Sequence, residues 1–227
     1  MKPPYKITGK ILKLVASISE RIGEVNSTHL SKPPTELRKK NRIKTIHSSL
    51  EIEGNTLTIE QITAIAENKR VIGPEKDVLE VLNAIKVYEK LNEYKFSSDK
   101  SFLKAHFQLM NGLIGSAGKY RKQGVGIVKG TKVEHLAPPH ENVPHLMKDL
   151  FEYLKGTDEL TLIKSCVFHY EMEFIHPFLD GNGRMGRLWQ TLILMTEYPV
   201  FEFLPFETLI SKTQDEYYKS LALSDKS

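Results

Sequence analysis

The chain has 227 residues, 40% hydrophobic and 26% charged, an ordinary balance for a folded globular protein that argues against wholesale disorder. Its formal net charge of +4 suits an anionic small ligand and is too small to argue for nucleic acid as a partner. One cysteine, Cys166, excludes an intramolecular disulfide; with no apolar run near the ~20 residues of a membrane span and no signal-peptide core behind Met1, the expected location is cytoplasmic.

Ile11, Leu14, Val15, Ile18 and Ile22 recur at near-helical spacing and predict a first helix over 11–25. Pro33-Pro34 breaks the chain, and a second helix is expected from Glu36 to Glu53, stopped by Gly54-Asn55. Its basic run, Arg38 to Lys44, reads as a solvated face. Thr58 with Gln61 forms a capping-box signature for a short helix to Asn68. Gly73-Pro74 opens a long helix from Glu75 to Tyr94, with Val78, Leu82, Ile85, Tyr88 and Leu91 as its buried stripe. Ser98 or Asp99 starts another, through Ile114, in which His106 falls among apolar positions and reads as a satisfied core histidine. From Gly115 to His140 the helical pattern lapses. Within it, Gly124 to Val133 alternates well enough for a small β-hairpin, and a long irregular stretch in a helical protein tends to be functional. Helices resume over 141–155 and 157–174, the second carrying Cys166 as a buried structural thiol and stopping at Pro177. A helix from Arg184 to Glu197 and a last amphipathic helix, Phe206 to Leu223, complete an all-α class with one small hairpin.

Chemistry concentrates in His176-Pro177-Phe178-Leu179-Asp180-Gly181-Asn182-Gly183-Arg184-Met185-Gly186-Arg187. Gly181-Asn182-Gly183 can turn tightly and bring bare N–H groups to an anion. It precedes a helix, whose N-terminus carries unpaired donors and a dipole that favours phosphate. Arg184 and Arg187 share a helical face and can fork onto phosphate oxygens. The His176 imidazole is suited to take a proton from a hydroxyl near neutral pH, and Asp180 to hold Mg²⁺ arriving with a triphosphate. Each feature alone is ordinary turn or helix-end chemistry. Together they read as a phosphate-transfer site.

This stretch resembles, at every fixed position, the signature of the Fic domain family, His-Pro-Phe-x-Asp/Glu-Gly-Asn-Gly-Arg-x-x-Arg. The resemblance implies a Fic-type helical bundle with the hairpin as a flap over the active site. It also implies an enzyme that transfers AMP from ATP, with Mg²⁺, to a Ser, Thr or Tyr hydroxyl of a target protein. By residue, it makes His176 the general base, Asp180 the metal ligand, and Gly181, Asn182 and Gly183 the anion cradle. Arg184 and Arg187 would grip the outer phosphates, and Gly124, Val125, Gly126, Ile127 and Val128 would align the target by strand addition.

Upstream, Ser49-Leu50-Glu51-Ile52-Glu53-Gly54 resembles the family's inhibitory motif, Ser/Thr-x-x-x-Glu-Gly/Asn. On one helical face, Ser49 can help hold the Glu53 carboxylate while Glu53 occupies Arg187 in place of the outermost phosphate. Two unit charges about 4 Å apart in a partly screened pocket attract by roughly 4 kcal/mol before desolvation is counted. The expected organisation is a helical segment over 1–60 carrying this motif and a catalytic core over 61–227, packed as one unit. The same residues admit removal of AMP with Glu53 orienting a water, and a relative that transfers phosphocholine leaves the donor open. A nucleotide-sensing binding protein is the rival outside catalysis, and the intact His176 speaks against it. A DNA-binding regulator built on 38–44 lacks a separate helix-turn-helix, and the chain ends at Ser227, short of the extra domain some relatives carry. The expected partners are a target protein, the chain itself as acceptor and a second copy in a homo-oligomer, with neither membrane nor nucleic acid among them.

Overall fold

The computed structural model describes residues 3–27, 34–129, 132–156 and 158–224, with the backbone alone for 127–129 and 132–136. The chain runs α1 (Gly9–Ser27), α2 (Thr35–Glu51), α3 (Ile59–Ala66), α4 (Glu75–Glu89), α5 (Asp99–Met110), β1 (Gly126–Lys129), β2 (Lys132–Leu136), α6 (Val143–Gly156), α7 (Thr161–Ile175), α8 (Asn182–Met195), α9 (Glu207–Lys212) and α10 (Gln214–Ser224). Pro33, the hairpin tip at Gly130 and Thr131, and the helix start expected at Thr157 lie outside the described residues. No helix among them is long and apolar enough to cross a membrane.

Several boundaries follow local chemistry. Thr58 and Gln61 make the capping box in both directions, Thr58 Oγ1 accepting from the Gln61 N–H (3.3 Å) and Gln61 Oε1 from the Thr58 N–H (2.9 Å). The Ser98 hydroxyl caps α5 through the Ser101 N–H. Other helices are shorter than their apolar periodicity suggests. α4 stops at Glu89 and is followed by a separate 3₁₀ turn, Leu91–Glu93. α5 stops at Met110, just before Gly112 turns to a φ of +77°. The expected last helix is two, because the backbone of Thr213 leaves the helical region between α9 and α10.

α8 is the central helix. Its residues Met185, Leu188, Trp189, Leu192 and Ile193 are buried, and it packs along α7 with α5 and α2 on its other sides. Trp189 meets Phe102 edge to face at 4.9 Å, and Phe102 stacks on Phe178 at 5.3 Å. This aromatic centre therefore lies directly beneath the His176–Gly183 loop, and burial of each such ring contributes about 2–3 kcal/mol. A smaller cluster of Ile22, Leu162, Leu194 and Phe201 attaches α1 to the far end of α7 and α8.

The buried face of α4 differs from the expected stripe. Asp77, Glu80, Val81, Asn83, Ala84, Val87 and Tyr88 are buried, while Leu82 is exposed. The polar members are inside because each has a partner, so a purely apolar period selects only part of the buried face: Tyr88 and Leu91 of the expected stripe are buried, and Val78 and Ile85 half-buried. Asn83 Nδ2, for example, donates to the carbonyls of Leu109 (3.2 Å) and Asn111 (2.8 Å), closing the end of α5. Cys166 also departs from expectation: it is exposed, with its Sγ 4.0 Å from Gln190 Nε2 of α8.

Candidate active site

α7 ends by placing His176 in the left-handed region, at φ 50° and ψ 61°, with its N–H still bonded to the Met172 carbonyl (3.0 Å). That conformation costs a non-glycine residue about 1–2 kcal/mol, so the surroundings must hold it. The imidazole Nδ1 lies 3.3 Å from the Glu173 carbonyl oxygen, which can only accept. The ring proton therefore belongs on Nδ1, and Nε2 is the basic atom. The carbonyls of Ile175, His176 and Pro177 all accept from Arg121.

The following residues are fixed from below. Phe178 is fully buried and stacks on the His106 ring at 3.5 Å and 5°. His106 Nδ1 accepts the Gly118 N–H (2.9 Å), leaving Nε2–H to donate to the Asp180 carbonyl (3.0 Å). Burial holds this imidazole down to about 4, so it is neutral at pH 7 and serves as the core histidine expected of it. Asn182 closes the loop with two bonds, its Oδ1 accepting the Phe178 N–H and its Nδ2 donating to the Phe178 carbonyl, both 2.9 Å. The side chain of Asn182 is thus a loop brace. Only its backbone N–H can contribute to an anion cradle.

The cradle is the start of α8. The first N–H to bond back into the helix is that of Met185, to the Gly181 carbonyl (3.0 Å), so the amides of Asn182, Gly183 and Arg184 belong to the open N-terminal turn, while that of Gly181 donates to Asp180 Oδ1 (2.5 Å). Gly181 has φ +86°, and a Cβ there would meet Met110 Sδ at 2.8 Å. At Gly183 the obstacle is a functional group: an added Cβ would stand 2.5 Å from Glu53 Oε1 and 3.0 Å from Arg187 Nη1. The Glu53 carboxylate therefore lies against the N-terminal turn of α8, on the surface where a phosphate would be cradled.

Both arginines already have partners within the chain. Arg184, 4% exposed, donates to Glu80 Oε1 (3.0 Å) and to Asp180 Oδ1 (2.8 Å). Arg187, 1% exposed, donates from Nη2 to Glu53 Oε1 (2.8 Å) and to the Ser49 carbonyl (2.8 Å), and from Nε to Ser49 Oγ (3.1 Å). The expected Ser49–Glu53 bond is accordingly replaced by Ser49–Arg187. The reason is local: α2 ends at Glu51, and the Glu53 and Gly54 N–H groups turn back to Leu50 and Glu51, carrying Glu53 off the helical face it would share with Ser49.

More groups meet here than the sequence pattern indicated. Asn55 Nδ2 donates to Glu80 Oε2 (2.8 Å), so the turn bearing Glu53 connects through Glu80 to Arg184. Behind Arg187, burial pushes the Glu173 and Glu207 carboxyls up to about 7 and the His169 imidazole down to about 4. Burial works against the charge of Arg187, but Glu53 and, after it, Tyr217 and Glu173 raise its proton affinity. Asn55 shows in the sequence only as part of a helix stop, Glu80 only as a polar residue inside a helix, and Arg121 carries no distinguishing pattern. At the hairpin, Gly124 and Gly126 are exposed, Val125 is half-buried, and β1 runs antiparallel to β2 with Gly126 opposite Leu136. The side chains of Ile127 and Val128 lie outside the described residues.

Comparison with known proteins places this geometry. The Fic/DOC family model matches residues 96–194. The chain is similar to a crystal structure of a Fic family protein from Desulfovibrio desulfuricans G20, at 49% identity and TM-score 0.95, covering 100% of this chain and 70% of that one. It is 29% identical to "Protein adenylyltransferase fic-1" of Caenorhabditis elegans over 94% of this chain and 42% of that protein. It is also 29% identical to "Protein adenylyltransferase Fic" of Nematostella vectensis, over 93% and 51% respectively. The chain thus spans about half the length of these curated relatives.

Proposed function

The chain belongs to the Fic/DOC family, and on that premise we propose that it is a protein adenylyltransferase, moving AMP from ATP to a hydroxyl side chain of a target protein. What supports this reading is the consecutive placement of His176, its backbone held by Arg121, the N-terminal turn of α8 at Asn182–Gly183, and two buried guanidiniums, Arg184 and Arg187. In the reaction, the acceptor hydroxyl gives its proton to His176 Nε2 as its oxygen bonds to the α-phosphorus. The bond from that phosphorus to the α,β-bridging oxygen breaks, and pyrophosphate leaves in line. The cradle amides, Arg184 and Arg187 hold the departing charge. Positioning and electrostatics suffice, with no covalent enzyme intermediate. Asp180, about half exposed on the loop, would hold Mg²⁺ carried by the triphosphate, which would supply further charge neutralisation. The hairpin β1–β2 acts as the flap that aligns an acceptor strand through its backbone.

In this reading Glu53 is an inhibitor built into the chain. Its carboxylate pairs with Arg187 and lies against Gly183, so a triphosphate must displace it to be aimed for transfer. The test compares incorporation from α-labelled ATP by the wild type and Glu53→Gly, with Mg²⁺ and with both the chain itself and a cell lysate as acceptors. Strong labelling by Glu53→Gly alone is expected. Equal labelling would remove the inhibitory role and keep the transferase; absence of labelling in both would overturn adenylyl transfer. One observation favours a second reading. With Glu53 against the same cradle, its carboxylate could orient a water toward the phosphorus of an AMP-modified protein, so the wild type should then release AMP from a product made by Glu53→Gly.

A further inference from the structure

Arg121 is 2% exposed, and each of its recorded hydrogen bonds ends on a main-chain carbonyl. Nε donates to His176 (2.8 Å), Nη2 to Ile175 (3.2 Å) and to Pro138 (2.5 Å), and Nη1 to Gln123 (2.9 Å). Its own N–H donates to Pro177 (2.9 Å). Burying a cation against carbonyls alone is costly unless its donors are matched. Here the match is specific. Ile175 and His176 are the last carbonyls of α7, which lack helical partners and carry the negative end of the helix dipole. The planar fork of a guanidinium can reach several of them at once, which the single ammonium of lysine cannot.

The other two carbonyls belong to the hairpin. Gln123 precedes β1 and Pro138 follows β2, so the two roots of the hairpin and the residue bearing the imidazole share one side chain. Neighbouring contacts run the same way: the Tyr120 ring lies 5.7 Å from Phe178, and the Gly118 N–H reaches the loop through His106.

We propose that Arg121 is a positioning residue for transfer, holding His176 in its left-handed conformation and setting the hairpin roots at a fixed distance from it. An acceptor strand laid on the hairpin then presents its hydroxyl to the base. This rests on the adenylyl-transfer reading above. It adds a group that touches neither nucleotide nor acceptor.

The test places Arg121→Lys and Arg121→Gln in the Glu53→Gly protein. Three quantities are measured: MgATP affinity by calorimetry, the rate of α-label transfer to protein, and hydrogen exchange of the backbone amides. Transfer should fall at least tenfold in both variants while MgATP affinity changes less than threefold. Exchange should speed up together over 175–178 and 122–126, with Met185 and the rest of α8 unchanged. Lysine, which keeps the charge, should rescue the fold and not the rate. Unchanged transfer overturns the proposal, as does loss of nucleotide affinity in step with rate, which would mark a merely structural role. Acceleration of only one of the two segments overturns the link between hairpin and base. A Glu53→Gly parent that labels no acceptor overturns the adenylyl reading and this inference with it. That result is told apart from failure of Arg121 alone because it precedes any change at 121.

Discussion

Two helix ends converge on the N-terminus of α8, and they are built to opposite specifications. α7 ends in His176 at φ 50°, and α2 ends in the turn leading to Gly54 at φ 88°; the first leads into the loop that opens α8, and the second brings the Glu53 carboxylate against Gly183. The His176 loop is laced to the core through its main chain by Arg121, His106 and Asn182, all buried. The Glu53 turn reaches the cradle through a side chain still 24% exposed, paired with Arg187. Bonds to main-chain atoms constrain position directly, whereas a partly hydrated ion pair can be exchanged for another anion at modest cost. The contrast suits the proposed roles, in which His176 as a base would hold its place through every turnover and Glu53 as an inhibitor would have to leave it.

The sharpest way to break this contrast is at the base. In the Glu53→Gly protein, His176→Ala should lower label transfer by about 10³-fold, within the range for loss of a positioned general base, and leave MgATP affinity largely intact. Transfer that persists at the parent rate would remove the proton-accepting role and reduce the loop to scaffolding.

The next largest effect is on stability and concerns what lies beneath the removable end. Glu207 on α9 is fully buried, and α9 packs on α2. Burial pushes its carboxyl up to about 7 from 4.5, although its own backbone N–H, Arg187 and Thr45 pull the other way, and Tyr88 feels its charge. The unfolded chain releases this proton near pH 4.5 and the folded chain near 7. Stability therefore falls as pH rises through that interval and stays lower above it. Glu173 adds a slope of the same sign. His106 and His169, both held down to about 4 by burial, add the opposite slope between about 4 and 6.5. With about 1.4 kcal/mol per tenfold in proton affinity, Glu207→Gln should stabilise the protein by up to about 3 kcal/mol at pH 8 and hardly at all at pH 4. Thermal melts at the two pH values check it, at about 2–4 °C per kcal/mol for a chain of this size. A gain independent of pH would mean that Glu207 acts by shape and not by charge.

Releasing the inhibitor comes third. Glu53→Gly should raise label transfer more than tenfold, corresponding to about 1.4 kcal/mol or more of lost competition at Arg187. A rise of similar size in Asn55→Ala, which cuts the tie to Glu80 and leaves the carboxylate in place, would show that the turn itself must be held for Glu53 to act.

What could be read in advance follows from how each group is held. The family was legible from His176 to Arg187 because its signature residues are consecutive and of types with little other use together. The Thr58 capping box was legible because it is closed within four residues. Arg121 was not, since its partners are carbonyls, which every residue carries, brought together only by tertiary folding. Glu80 and Asn83 were hidden for a related reason: they are polar on a buried face, so the apolar period of α4 pointed to Leu82 instead. Ser49 is the instructive intermediate. Its closeness to Glu53 in sequence suggested a bond that the tightened end of α2 withholds, and its hydroxyl goes to Arg187.

That reassignment yields the smallest and most discriminating prediction. Ser49→Ala removes the bond from Arg187 Nε and leaves the bond from Nη2 to the Ser49 carbonyl, which needs no side chain. Because Arg187 keeps its bonds to the Ser49 carbonyl and to Glu53, the guanidinium should loosen only in part and transfer should rise only about two- to fivefold. If Ser49 instead oriented the Glu53 carboxylate, the same substitution would free the inhibitor itself and approach the activation by Glu53→Gly. A double variant separates the cases. With Glu53 already replaced, Ser49→Ala should still alter the affinity for MgATP, because the hydroxyl bonds the arginine proposed to receive the phosphate; an effect that vanishes in that background would return Ser49 to the service of Glu53.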